Sequence, residues 1–282
     1  MTHQPLNKMI NEPDPSRLIH GLRDTGYDFY TAAADIIDNS VSADANIINI
    51  LIEITSDGRK FVYFGDDGHG MDEDGLHNAM RYGAQIREDL ASLGKFGLGL
   101  KTASSSVCLK YSLISRTNLS SPLYKLTWDL EHVSDVNNWE MVDEPVSVDE
   151  QEVFEELCGN SGTLVVWSRC DRLLSKVYEE PGGTKEQAAI RYIRNKLIEH
   201  CALIFHKYLN PSETGYRTIK IIVNGIEVEY WNPFYPECSE QVLPVKLTVL
   251  PIQREDGTIH NATVKAWILP HAKDMSKEDN KK

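Results

Sequence analysis

Two side chains four residues apart in Asp35-Ile36-Ile37-Asp38-Asn39 could share one chemical task. If this stretch is helical, positions i and i+4 lie on one face, so the Asp35 carboxylate and the Asn39 amide point the same way. A carboxylate can accept a proton from water, and an amide oxygen is a hard ligand suited to Mg2+. Ala33, Ile36, Ile37 and Val41 remain for packing on the opposite face. A second carboxylate group lies in Asp66-Asp67-Gly68-His69-Gly70-Met71. The alternate glycines Gly68 and Gly70 permit positive φ and a close approach to the backbone. Asp66, an acceptor only, could receive the exocyclic amino group of adenine. Met71 would supply a soft apolar wall for the base.

Two further segments complete the set. Gly94-Lys95-Phe96-Gly97-Leu98-Gly99-Leu100-Lys101-Thr102 is glycine-rich and runs into a helix start. Its spacing is neither the dinucleotide fingerprint nor a Walker loop. Glycines at a helix start present a nest of backbone N–H groups to phosphate oxygens, and Lys95 or Lys101 could add charge there. Ser161-Gly162-Thr163 then opens the apolar run Leu164-Val165-Val166-Trp167, where the Thr163 hydroxyl could complete an adenine site directly or through water. Each piece alone is common. Their combination in one order is specific.

The elements that must position these groups follow from the sequence pattern. Residues 1–15 are polar, carry three prolines and read as an irregular arm. A helix is expected from about Tyr27 to Val41, then a β-hairpin pairing Asn46–Ile54 with Lys60–Phe64 across Ser56-Asp57-Gly58. A tight turn at 66–70 precedes a short helix ending at Met80. Residues 83–99 read as a mobile loop, and 100–107 as a helix. Strands are expected at 111–116, 124–129 and 163–167, and a long amphipathic helix at 185–208. Residues 218–223 and 227–230 flank Asn224-Gly225 as a second hairpin. A break falls at 233–236, and strands at 245–250 and 263–269 would belong to a second unit. Helices gather early and antiparallel strands dominate later. That favours an α+β sandwich, a mixed and largely antiparallel sheet with helices on one face, over a doubly wound parallel fold.

Composition narrows the class. The 282 residues are 41% hydrophobic and 25% charged, ordinary globular usage. No apolar run approaches the roughly 18 residues that cross a bilayer, and no secretory pattern opens the chain, so a cytoplasmic protein without membrane association is expected. Five cysteines are scattered without a CxxC pair, which suits reduced thiols rather than a disulfide frame or zinc site. The net charge of −13 gives no general support for nucleic-acid binding, although Arg191, Arg194 and Lys196 form a local basic stretch.

The run of motifs "DIIDNSVSADA … DDGHGM … GKFGLGLKTAS … SGTLVVW" resembles the GHKL superfamily, which includes gyrase-type topoisomerases, ninety-kilodalton heat-shock chaperones, histidine kinases and MutL-like repair ATPases. Within it the chain is most similar to MORC-like ATPases and their bacterial relatives. The resemblance covers about residues 20–230 and implies the Bergerat α/β sandwich. It implies that Asn39 coordinates Mg2+, that Asp35 occupies the general-base position, and that Asp66 binds adenine with Gly70 and Thr163 beside it. It implies also that Gly94, Gly97 and Gly99 wrap the phosphates of ATP, within the ATP-binding segments that contain Gly68, Met71, Lys95, Phe96, Leu98 and Lys101.

The organisation then expected is an arm over 1–15, an ATP-binding domain over 16–236 and, from 237 to 282, the start of a transducer-like unit that is short for a complete one. In relatives with such a unit a lysine from it reaches the γ-phosphate, and Lys246 and Lys265 lie in the corresponding region. The resemblance further implies slow ATP hydrolysis that closes the 83–99 lid, an ATP-dependent homodimer, other protein subunits as possible partners, and a role in nucleic-acid handling or defence against phage. Two alternatives stand beside it: an ATP sensor without useful turnover, and the ATP-binding fragment of a larger chaperone-like or DNA-repair machine. A histidine kinase fits poorly, because only His3 and His20 precede Asp35. The chain departs from the hydrolase pattern at Asp35, where glutamate is common. One methylene fewer withdraws the carboxylate by roughly 1 Å, a displacement that can cost on the order of 100-fold in rate.

Overall fold

A computed structural model describes residues 13–24, 26–83, 97–235, 238–242, 249–253 and 257–275. The chain divides into two compact units, Met1–Glu229 and Tyr230–Lys282.

In the first unit, helix α1 (Pro15–Arg23) begins where the sequence reading ends an irregular arm. Pro15 sits in its first turn, where a missing N–H costs nothing, and the Asp14 carboxylate caps the Arg17 N–H at 2.9 Å. Helix α2 (Phe29–Ser42) is capped by Asp28 and buries Ala32, Ala33, Ile36 and Ile37. Strands β1 (Ile47–Ile54) and β2 (Lys60–Asp66) form the expected hairpin, with Ile50 opposite Phe64. Helix α3 (Glu73–Met80) follows the 66–70 turn, and α4 (Gly99–Val107) follows the glycine-rich segment. Gly94, Lys95 and Phe96 at the start of that segment, and most of the expected 83–99 loop, lie outside the described residues.

Strands β3 (Lys110–Arg116) and β4 (Tyr124–Asp129), helices α5 (Leu130–Val136) and α6 (Val148–Cys158), strand β5 (Gly162–Ser168), helices α7 (Thr184–Ile204) and α8 (His206–Leu209), and strands β6 (Lys220–Val223) and β7 (Ile226–Glu227) complete the unit. The sheet order is β4-β3-β5-β2-β1-β6-β7. Every pairing is antiparallel except β1 with β6. This is the mixed, largely antiparallel α/β architecture that the motif order implies.

Strand β5 lies mid-sheet and is buried along almost its whole length, which requires cover on both faces. On one face Trp167 packs edge-on to Phe64, with ring centroids 4.8 Å apart, and donates its indole N–H to the Ser104 hydroxyl of α4 at 2.8 Å. Phe29 of α2 closes on the same indole, and α7 packs against α2 and β1. On the other face Leu164 and Val166 meet Phe154 and Cys158 of α6. Helix α6 is therefore an added cover opposite the main helical layer.

The second unit holds two small antiparallel pairs: β8 (Glu240–Gln241) with β11 (Trp267–Ile268), and β9 (Val249–Gln253) with β10 (Ile259–Thr263).

Candidate nucleotide site

Helix α2 carries the acid, the amide and a hydroxyl that the sequence reading passed over. Asp35 and Asn39 share one face, as the spacing requires. The Asn39 side-chain N–H donates to the Asp35 backbone carbonyl at 2.9 Å, which ties the nitrogen to the helix and turns the amide oxygen outward on an exposed residue. A hard oxygen held in this way suits Mg2+. Among the described residues no group of three or more His, Cys, Asp and Glu is placed to hold a metal, so an ion at Asn39 would draw most of its ligands from phosphate and water.

Asp35 stands over the start of α4. Its Oδ2 lies 3.6 Å from where a Cβ on Gly99 would stand, and it accepts the Tyr27 hydroxyl at 2.7 Å. Gly97 adopts φ +59°, Leu98 is the N-cap residue, and Gly99 opens the helix, so the acid and the free N–H groups of α4 converge. Asp38 lies beside this pair. Burial, reinforced by the Asp35 charge, pushes its carboxyl up to about 6. Reading only the i, i+4 spacing missed it, although an aspartate immediately before the amide was visible in the sequence.

The other end of the site is anchored on β2. Asp66 is 4% exposed; its Oδ2 accepts the Ser40 hydroxyl of α2 at 2.8 Å and its Oδ1 accepts the Gly68 N–H at 3.0 Å. Burial raises its pKa, while the donors Ser40, Gly68 and Thr163 hold it down. Strand register puts Asp66 opposite Thr163. Ser115 on β3, also missed from sequence, completes the corner: its hydroxyl accepts the Met71 N–H at 2.8 Å, donates to the Gly162 carbonyl at 2.8 Å and lies 3.0 Å from the Thr163 hydroxyl.

The close approaches in this corner are made by the backbone itself. Gly70 has φ +63°, and a Cβ there would stand 2.0 Å from the Arg116 carbonyl oxygen. Gly162 has φ +132°, and its Cβ would stand 1.8 Å from the Asp66 carbonyl oxygen. The neighbouring Asp67 carboxylate caps the start of β1, accepting the N–H groups of Asn46 and Ile47. Lys101 is only 2% exposed and donates to the Ala79 carbonyl at the end of α3 at 2.8 Å. Burial brings its ammonium down to about 8.

One helix thus links both ends: Asp35 faces the start of α4, Asn39 lies one turn further along the same helix face, and Ser40 reaches Asp66. The structure brings together Asp35, Gly99 and Gly97 at one end and Asp66, Gly68, Gly70, Met71 and Thr163 at the other.

A sequence profile described as histidine kinase-, DNA gyrase B- and HSP90-like ATPase matches residues 27–163. Among curated proteins, Protein Microrchidia 3 of Arabidopsis thaliana is 35% identical over 77 residues, 26% of this chain and 13% of that protein. Protein Microrchidia 2 of the same plant is 29% identical over 92 residues, 31% of this chain and 15% of that protein. ATPase MORC2B of Mus musculus is 31% identical over 91 residues, 31% of this chain and 9% of that protein. The matches therefore span less than a sixth of these relatives' length. The profile opens at Tyr27 and closes at Thr163, and the described site residues fall within it. Residues 27–163 are thus similar to the histidine kinase-, DNA gyrase B- and HSP90-like ATPases, and part of the chain is similar to the MORC proteins.

Proposed function

We propose that this chain binds Mg·ATP and hydrolyses it slowly, using the turnover to close a lid over residues 83–99 and to pair with a second copy. The observation that supports this most is the double duty of α2, which sets Asp35 against the N-terminus of α4, with Asn39 on the same helix face, while its Ser40 holds the Asp66 carboxylate. Asp66, with a donor already on each carboxylate oxygen, keeps acceptor capacity for the adenine amino group, and Met71, Gly70 and Thr163 border it. The N–H groups at Gly97–Gly99 would receive phosphate oxygens. Asn39 would hold Mg2+, which when bound neutralises phosphate charge and orients the terminal phosphoryl group. Asp35 would take the proton of the attacking water.

A second reading, an ATP sensor without useful turnover, is favoured by the short side chain at position 35. A single-turnover assay separates the two. Phosphate release by the wild type, lost in both Asp35→Ala and Asn39→Ala while Asp35→Ala still binds ATP, supports the hydrolase. Equal and negligible release by all three proteins supports the sensor. Of the two lysines in the region expected to supply one to the γ-phosphate, Lys246 lies outside the described residues and Lys265 is exposed in the second unit. Work on nucleic acid or in antiphage defence is proposed from the MORC-like family alone. Among the described residues no helix is long and apolar enough to cross a membrane.

A further inference from the structure

We propose that Tyr27 is a positioning residue for hydrolysis, its hydroxyl fixing the Asp35 carboxylate against the first turn of α4. The inference rests on the ATPase reading and deepens it by naming the group that holds the acid.

Four observations carry it. The Tyr27 hydroxyl donates to Asp35 Oδ2 at 2.7 Å, and among the described residues the other carboxylate oxygen, Oδ1, has no hydrogen-bond partner. That leaves one oxygen held and one able to meet a water molecule. Tyr27 is itself fixed by its position, one residue ahead of Asp28, whose carboxylate caps α2 by accepting the Thr31 N–H at 2.7 Å. The Thr102 side chain lies near the Tyr27 hydroxyl and opposes the rise in its pKa. Thr102 is buried on α4, and its hydroxyl lies 3.1 Å from the Leu98 carbonyl and 3.2 Å from that of Gly99. The acid that the phenol holds therefore stands at the turn where the phosphates are expected.

The fourth observation is electrostatic. Burial first, then the hydrogen bond to Asp35 and its charge, raise the Tyr27 pKa above its ordinary value, so the phenol stays protonated and a donor throughout neutral pH. It cannot compete with Asp35 for the proton of water. An aspartate beside the like-charged Asp38 would otherwise have reason to rotate away. A hydrogen bond from a neutral phenol opposes that rotation without neutralising the base.

The test measures kcat, KM and the dissociation constant of a non-hydrolysable ATP analogue for the full chain. Wild type, Tyr27→Phe, Asp35→Ala and the Tyr27→Phe/Asp35→Ala double variant are compared. Exposed Tyr192→Phe serves as the control. Tyr27→Phe should lower kcat about 10- to 100-fold, as expected for a lost hydrogen bond to a charged group, and leave analogue affinity within about twofold. In the Asp35→Ala background the same change should cause no further fall, whereas a merely structural tyrosine would lower both backgrounds. Wild-type turnover in Tyr27→Phe, or a loss of affinity matching the loss of rate, overturns the inference and leaves the ATPase reading intact. If wild type turns over no faster than Asp35→Ala, the hydrolase reading fails and this inference with it.

Discussion

Asp66 and Lys101 are both buried ionisable groups that burial shifts toward the neutral form, but they differ in how many partners oppose that shift. Burial raises the Asp66 pKa, and hydrogen bonds from Ser40, Gly68 and Thr163 offset part of that rise. In Asp66→Asn one amide hydrogen would be forced against the Ser40 hydroxyl or the Gly68 N–H, and the adenine amino group would lose a charged acceptor. Calorimetry should show ATP affinity lower by about 10- to 100-fold; unchanged affinity would remove adenine binding from this residue. Among the described residues Lys101 donates to the Ala79 carbonyl, and burial leaves its proton weakly held. A lysine whose folded pKa is depressed penalises the fold below that pKa. The penalty lifts as pH rises from the folded to the unfolded value, because there the unfolded chain binds more protons. A fall from 10.5 to about 8 corresponds to at most about 3 kcal/mol. Urea unfolding of wild type against Lys101→Met at pH 7.5 and 9.5 should show wild type gaining on the variant at the higher pH. A gap that does not change with pH would mean the ammonium is not desolvated.

The turn after β2 and the start of β5 behave as one element, because Gly70 and Gly162 let three strand ends interleave. Gly162→Ala would drive a methyl group into the Asp66 carbonyl at positive φ. The expected result is destabilisation of more than about 3 kcal/mol in chemical denaturation, with nucleotide affinity lost as Asp66 shifts. Gly159→Ala, with positive φ and open space, should cost only the backbone strain, about 1–3 kcal/mol. Much of this arrangement was legible in the sequence. The period-2 isoleucines of β1, the Asp-Gly turn and the Asn224-Gly225 hairpin gave the strands, and the order of four motifs gave the architecture. Helix α6 was also legible but passed over: Ser147 and Glu150 form a reciprocal capping box. Helix α1 was hidden behind the assumption that proline means irregular backbone, although a proline suits a first turn. What could not be read was partnership across strands. Ser40, Ser115 and Tyr27 have no local signature, because their roles arise only when α2, β2, β3 and α4 are brought together.

Across the whole molecule, electrostatics runs against the proposed ligand. The chain carries a net charge of −13, and Asp35 and Asp38 crowd the end of the site where a triphosphate would lie. A free polyanion would meet like charges there with only helix N–H groups and a buried lysine to offset them. A divalent cation held by the outward Asn39 oxygen changes the sign of that encounter, so ATP affinity should depend steeply on Mg2+. Stability reports this directly, because a ligand that binds only the folded chain at 100 times its Kd adds about 2.7 kcal/mol. For a unit of this size that corresponds to a rise in Tm of roughly 5–10 °C. With Mg2+ and ATP the wild type should show that rise. With ATP and EDTA, or with Asn39→Ala in Mg2+, the rise should shrink to less than about 2 °C. Equal rises with and without the metal would mean that α4 and Lys101 alone satisfy the phosphates, and the role given to Asn39 would have to be abandoned.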